Sequence, residues 1–161
     1  MRKAAVILTL TFLVLTFISC SGTANTNTAS NAAVVPADNA NKANTNVEEL
    51  SVLINVPYES EEASWKQDAE HKKLKAVLRF SEAEAKRLVD DAAKNGPPQP
   101  ASITPETWFP PELIAQGAMS GDEDLKGQAY AANAFFLEPY TAGHITRIEN
   151  TDYFVLELTG K

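Results

Sequence analysis

The sequence predicts an α+β domain, a mostly antiparallel sheet with one or two helices on one face, preceded by a disordered tether. Three observations carry this. Several short runs after residue 47 alternate apolar and polar side chains. One capped segment repeats its apolar residues at helical spacing, and residues 21–46 show neither period. Residues 47–161 hold 11 Lys or Arg against 20 Asp or Glu, and a chain of this length buries about two-thirds of its extended surface in one core.

Taken in order, residues 50–56 read as the first strand, because Leu50, Val52, Ile54 and Val56 share one face and Pro57 stops the run. Residues 58–71 are acidic and weakly periodic, either a loop or a frayed helix. The second strand places Leu74, Ala76, Leu78 and Phe80 on one side, with Lys73, Lys75 and Arg79 as a solvated face on the other. The strongest helix covers residues 82–95. Ser81 and Glu84 form a capping box, and Ala85, Leu88, Val89 and Ala92 make a single apolar face. Gly96 is expected to close it in the left-handed conformation, with Pro97-Pro98 preventing continuation.

Residues 100–104 form a short strand, and a second, shorter helix starts near Pro111 and ends at Gly117. With Pro110 at its cap position, Phe109 is set inward against Ile114 as a hydrophobic staple. Adjacent side chains of an extended stretch diverge, so Trp108 and Phe109 are not expected to share a pocket. Gly121-Asp122-Glu123-Asp124 is a turn, residues 125–132 read as extended although their Ala content also suits a helix, and Phe135 and Phe136 are core anchors around a bend at Pro139. Residues 144–148 and 153–158 flank a four-residue polar turn and make a hairpin, with Phe154, Leu156 and Leu158 inward.

Composition narrows the function classes. The whole chain has 161 residues, with 14 Lys plus Arg against 21 Asp plus Glu, a net charge of -7. That balance argues against nucleic acid as a partner, since phosphate-backbone affinity needs clustered cations. A single cysteine excludes an intrachain disulfide framework and a Cys-rich zinc site.

Residues 1–19 read as a secretory signal peptide. Arg2 and Lys3 precede an apolar run over residues 4–18 that only Thr9, Thr11 and Thr16 interrupt. Fifteen residues are too few for a membrane span, which takes about 20. Residues 20–46 read as a lipidated Cys and its tether. Of the 26 residues after Cys20, 20 are Asn, Ala, Thr or Ser, too little apolar surface to offset backbone entropy. Such a coil spans roughly 25–30 Å end to end.

Thr16-Phe17-Ile18-Ser19-Cys20 resembles the lipobox of bacterial lipoproteins, with Phe17 where Leu is usual. The resemblance implies cleavage between Ser19 and Cys20, diacylglycerol on the Cys20 thiol and membrane anchoring through acyl chains. Ser21 is not the Asp associated with inner-membrane retention in double-membrane bacteria. The resemblance therefore leans towards the periplasmic side of the outer membrane.

The search for chemistry is mostly negative. The sequence has no nucleophile elbow, Gly-rich phosphate loop, His-Glu-x-x-His or dinucleotide fingerprint, and no cofactor is implied. A calcium loop starting at Asp122 and using Asp124 meets Lys126 as its third ligand and fails there. His71 and His144 are 73 positions apart, and neither belongs to a motif. Tyr153 beside Asp152 reads as strand-edge packing.

Two tryptophans are the candidate binding anchors. Trp65 sits among Glu59, Glu61, Glu62, Asp68 and Glu70, an acidic patch for a basic partner or else a solvated connector whose Trp lies on the domain surface or covers a sheet edge. Trp108 either faces a partner or fills a gap between helix and sheet, with its indole N–H on a sheet-edge carbonyl; burial is the expected outcome. The sequence thus reads as a lipid-anchored cell-envelope protein, not an enzyme, whose domain binds an envelope partner or serves a structural role. The alternative is an envelope hydrolase with dispersed carboxylates and a His.

Overall fold

A computed structural model describes residues 42–121 and 123–161. The expected signal peptide, Ser19, Cys20 and most of the expected tether lie outside the described residues, as does Asp122. The α+β class and the antiparallel sheet hold. Six strands form one sheet: β1 (Ser60–Asp68), β2 (Lys73–Phe80), β3 (Gln99–Ile103), β4 (Leu125–Ala131), β5 (Tyr140–Ile148) and β6 (Tyr153–Gly160). Their order is β1-β2-β6-β5-β4-β3, with every neighbouring pair antiparallel. Three helices accompany it: α1 (Val47–Leu53), α2 (Glu82–Ala92) and α3 (Pro111–Met119).

Residues 50–53, expected as the start of a strand, belong to α1, and Ile54 caps that helix. The same side chains fit both periods. In a helix Leu50 and Ile54 lie one turn apart and both are buried, whereas Val52 points away and is 76% exposed. The deciding signal lies just upstream. Asn46 caps α1 by accepting from the backbone N–H groups of Glu48 (2.9 Å) and Glu49 (3.1 Å), and its amide donates to the Glu49 carboxylate (3.1 Å). Asn46→Ala should cost about 1 kcal/mol, read as a lower midpoint in a thermal melt.

The domain begins earlier than expected. Asn44 exchanges two backbone hydrogen bonds with Trp65 (2.9 and 2.8 Å), so part of the presumed tether is built into the edge of the sheet.

Residues 60–68, read as loop or frayed helix, are strand β1. It is an edge strand burying only Ala63 and Trp65, with charged side chains on the other face, which blurs its alternation. β2, α2, β3, β4 and the β5–β6 hairpin fall where expected. Ser81 Oγ accepts from the Glu84 N–H (3.3 Å). Gly96 has positive φ, but at φ 145°, ψ 163° it lies outside the left-handed helical well, in a region that favours glycine, after a final 3₁₀ turn.

Both sheet faces are covered, unequally. Leu50 and Ile54 of α1 and Ala85, Leu88 and Ala92 of α2 pack on Leu74, Leu78, Phe80, Phe154, Leu156 and Leu158, forming the larger core on one face. The short helix expected on this face instead lies on the other. There Leu113 of α3 packs with Phe109, Val77, Ile148, Tyr153 and Val155. The staple partner also differs. Phe109 buries with Leu113, while Ile114 is 37% exposed. Beyond this second core, the face carries polar side chains.

Candidate functional site

Backbone register aligns four ionisable residues straight across the face opposite α1 and α2. Lys66 on β1 pairs with Lys75 on β2, Lys75 with Glu157 on β6, and Glu157 with His144 on β5. Directly opposed residues of neighbouring strands share a face with Cβ atoms about 5 Å apart, so the strand order itself assembles the row. His144 Nε2 lies 3.0 Å from one oxygen of Glu157, and Lys75 Nζ donates to the other (3.0 Å). Lys75 also donates to Glu106 (2.8 Å), whose second oxygen accepts from the indole N–H of Trp108 (2.6 Å). Lys66 sits 5.8 Å from the centre of the Trp108 ring. Together these groups line an open groove of about 700 Å³.

The charges in the row hold one another. The hydrogen bond with His144, joined by that from Lys75, overcomes partial burial and brings the Glu157 carboxyl down to about 2. The same bond raises the His144 imidazole above its ordinary 6.5, against burial. Burial works to lower Lys75, but its bonds to Glu106 and Glu157 prevail and raise it. Glu106 is lowered despite desolvation because Lys75 and Trp108 both donate to it.

Glu157 has two cationic partners and His144 has one anionic partner, which fits the larger movement of Glu157. The signs define a pH window. The stabilisation from His144 is whole below the ordinary imidazole value of 6.5 and is lost as pH rises through the higher folded value. That from Glu157 is whole above its ordinary 4.5 and is lost as pH falls towards 2. Both are intact between 4.5 and 6.5. An NMR titration of the imidazole should give a midpoint above 6.5 that drops in Glu157→Gln. An unchanged midpoint in that variant would mean that Glu157 does not hold the proton.

The two anchor candidates separate. Trp65 is only 7% exposed, its ring lies in the larger core and its indole N–H donates to the Asn46 carbonyl (3.1 Å). It secures the sheet edge and has no exposed ring to offer a partner. The acidic cluster around it is partly neutralised: Arg79 bridges Glu61 (3.3 Å) and Glu62 (2.8 Å), and Asp68 pairs with His71 (2.7 Å).

Trp108 is half-buried at the groove, and its N–H goes to Glu106 instead of a sheet-edge carbonyl. It does meet Phe109, edge to face with centroids 4.7 Å apart, contrary to the expectation from alternation. Residues 106–109 form a turn, with the Phe109 N–H bonded to the Glu106 carbonyl, so the extended-chain geometry does not apply.

His71 does not line the groove. Tyr153 is a core residue whose hydroxyl donates to Glu62 (3.3 Å). Asp124 accepts hydroxyl bonds from Ser102 and Thr104 (2.8 Å each). Among the described residues, no three His, Cys, Asp or Glu side chains gather as metal ligands, and no helix is long and apolar enough to cross a membrane.

Sequence reasoning missed Lys66, Lys75, Glu106 and Glu157 as a unit. Lys66, Lys75 and Glu157 each sit on a different strand and are aligned with His144 only by register across four strands, while Glu106 comes in from the turn before α3. The chain matches no family model, no curated protein and no solved structure.

Proposed function

We propose that this chain is a lipid-anchored cell-envelope protein, tethered through Cys20 on the periplasmic side of the outer membrane, whose domain is a binding module. Its partner, an envelope protein within tether reach, meets the open sheet face between Trp108 and His144. One observation carries the binding reading over the hydrolase. Glu106 and Glu157 are each already paired with Lys75, and Glu157 also with His144, so the groove displays fixed, mutually held charge. Glu157 at about 2 is too weak a base near neutral pH, and its hydrogen bond shifts His144 towards the protonated form. Trp108 adds a half-buried aromatic ring beside that charge, a composition suited to protein interfaces.

A photoreactive phenylalanine analogue placed at Lys73, which lines the groove, and at Lys86, on the outer side of α2, tests this in intact envelopes. A discrete adduct is expected from position 73 and not from position 86. Equal adducts from both, or none from position 73, would overturn the reading.

A further inference from the structure

A second cavity, about 410 Å³, opens where β4 and β5 approach the 149–152 turn. Gln128 and Arg147 line it and stand directly opposite one another in the ladder. Tyr130 lies two residues beyond Gln128 and therefore on the same face. The Tyr130 ring is nine-tenths buried while its hydroxyl reaches the surface, and among the described residues neither that hydroxyl nor the Gln128 carboxamide has a hydrogen-bond partner. Arg147 forms no ion pair among the described residues, whereas Arg79 and Arg87 both do. Its guanidinium lies instead over the Phe154 ring, 6.0 Å from the centre. Glu149 and Asp152 line the same cavity, and their carboxylates are likewise without partners.

Gln128 and Arg147 are half-buried and Glu149 and Asp152 stand exposed at the rim, so these groups can meet a ligand without first breaking internal bonds. Here a guanidinium, a carboxamide and a phenol share one cavity with two carboxylates, and the opposite charges do not close on each other. We infer that this cavity binds a small zwitterion, a molecule of dipeptide size bearing one carboxylate and one ammonium. The carboxylate meets Arg147, with Gln128 and Tyr130 as further donors, and the ammonium meets Glu149 and Asp152. A planar guanidinium already resting on an aromatic ring presents its fork to a carboxylate with little further loss of freedom. The two carboxylates repel a phosphate dianion, which disfavours that alternative. The volume falls within the roughly 300–1,000 Å³ typical of small-molecule sites.

NMR titration of the ¹⁵N-labelled protein with glycylglycine, glycylglycine amide and acetyl-glycylglycine tests the inference. Glycylglycine should move the Gln128 side-chain amide and the backbone amides of residues 147–152 saturably. Each blocked form should bind about tenfold more weakly or worse. Arg147→Lys, which keeps the charge but not the fork, should lose glycylglycine to a similar extent while its remaining spectrum stays dispersed. Gln128→Ala carries the same test should the lysine variant not fold. Absence of a saturable shift, equal binding of either blocked dipeptide, or undiminished binding by a folded Arg147→Lys would overturn the site.

Discussion

Cys20→Ala is expected to abolish incorporation of labelled palmitate. Cys20 is the only cysteine in the chain and stands at the border between the apolar run and the Asn-rich segment. Its thiol is the one place where a lipobox-type signal would attach diacylglycerol. Each buried CH₂ contributes about 0.8 kcal/mol, and a single acyl chain holds only marginally, so durable anchoring depends on the full lipid. Labelling is the decisive readout, because it reports acylation of the thiol itself. Retained label in the alanine variant would refute the anchor.

The second large effect is expected within the fold, from Gly143→Ala. Gly143 lies in β5 at φ +149°, and a Cβ there would come 2.2 Å from the Glu157 carbonyl oxygen and 2.9 Å from the Leu158 Cα. Both are backbone atoms of the neighbouring strand, so no rotamer change relieves the contact. Separating β5 from β6 or straining the ladder should cost about 3 kcal/mol or more, a fall in melting midpoint of roughly 10–20 °C. Gly96 supplies the comparison. Its φ is +145°, but a Cβ there would meet nothing within 4 Å. Gly96→Ala should therefore show only backbone strain, about 1–2 kcal/mol. Equal losses in the two variants would show that the clash is not the cause. The Gly143 variant should also lower the imidazole midpoint of His144, since the misplaced strand carries that residue away from Glu157.

How far the sequence speaks depends on the range of the physics involved. Ser81 with Glu84 and the hairpin turn at 149–152 act within a few residues, and those elements form as the sequence predicts. Leu50, Val52 and Ile54 satisfied two periods at once, and the cap at Asn46 decided between them. β1 was obscured because an edge strand buries few side chains. The row from Lys66 to His144 lies furthest from sequence reading. Its members come from four strands, and their adjacency is set by strand order and register, which no local pattern encodes. Trp65 illustrates the converse: acidic neighbours suggested a surface, but the ring turns inward and the charges outward.

The position of β6 bears on how such a chain is made. The last strand in chain order lies between β2 and β5, and the two-stranded part β1-β2 meets the three-stranded part β5-β4-β3 only through it. Until residues 153–160 have left the ribosome, the sheet exists as two separate fragments with exposed inner edges, and the larger core lacks Phe154, Leu156 and Leu158. The sheet therefore cannot close before residues 153–160 are available. A polypeptide kept open until its final strand is available stays in a form that can be threaded through a narrow protein-conducting pore. If the chain is exported as proposed, this strand order defers closure of the sheet until residues 153–160 have crossed.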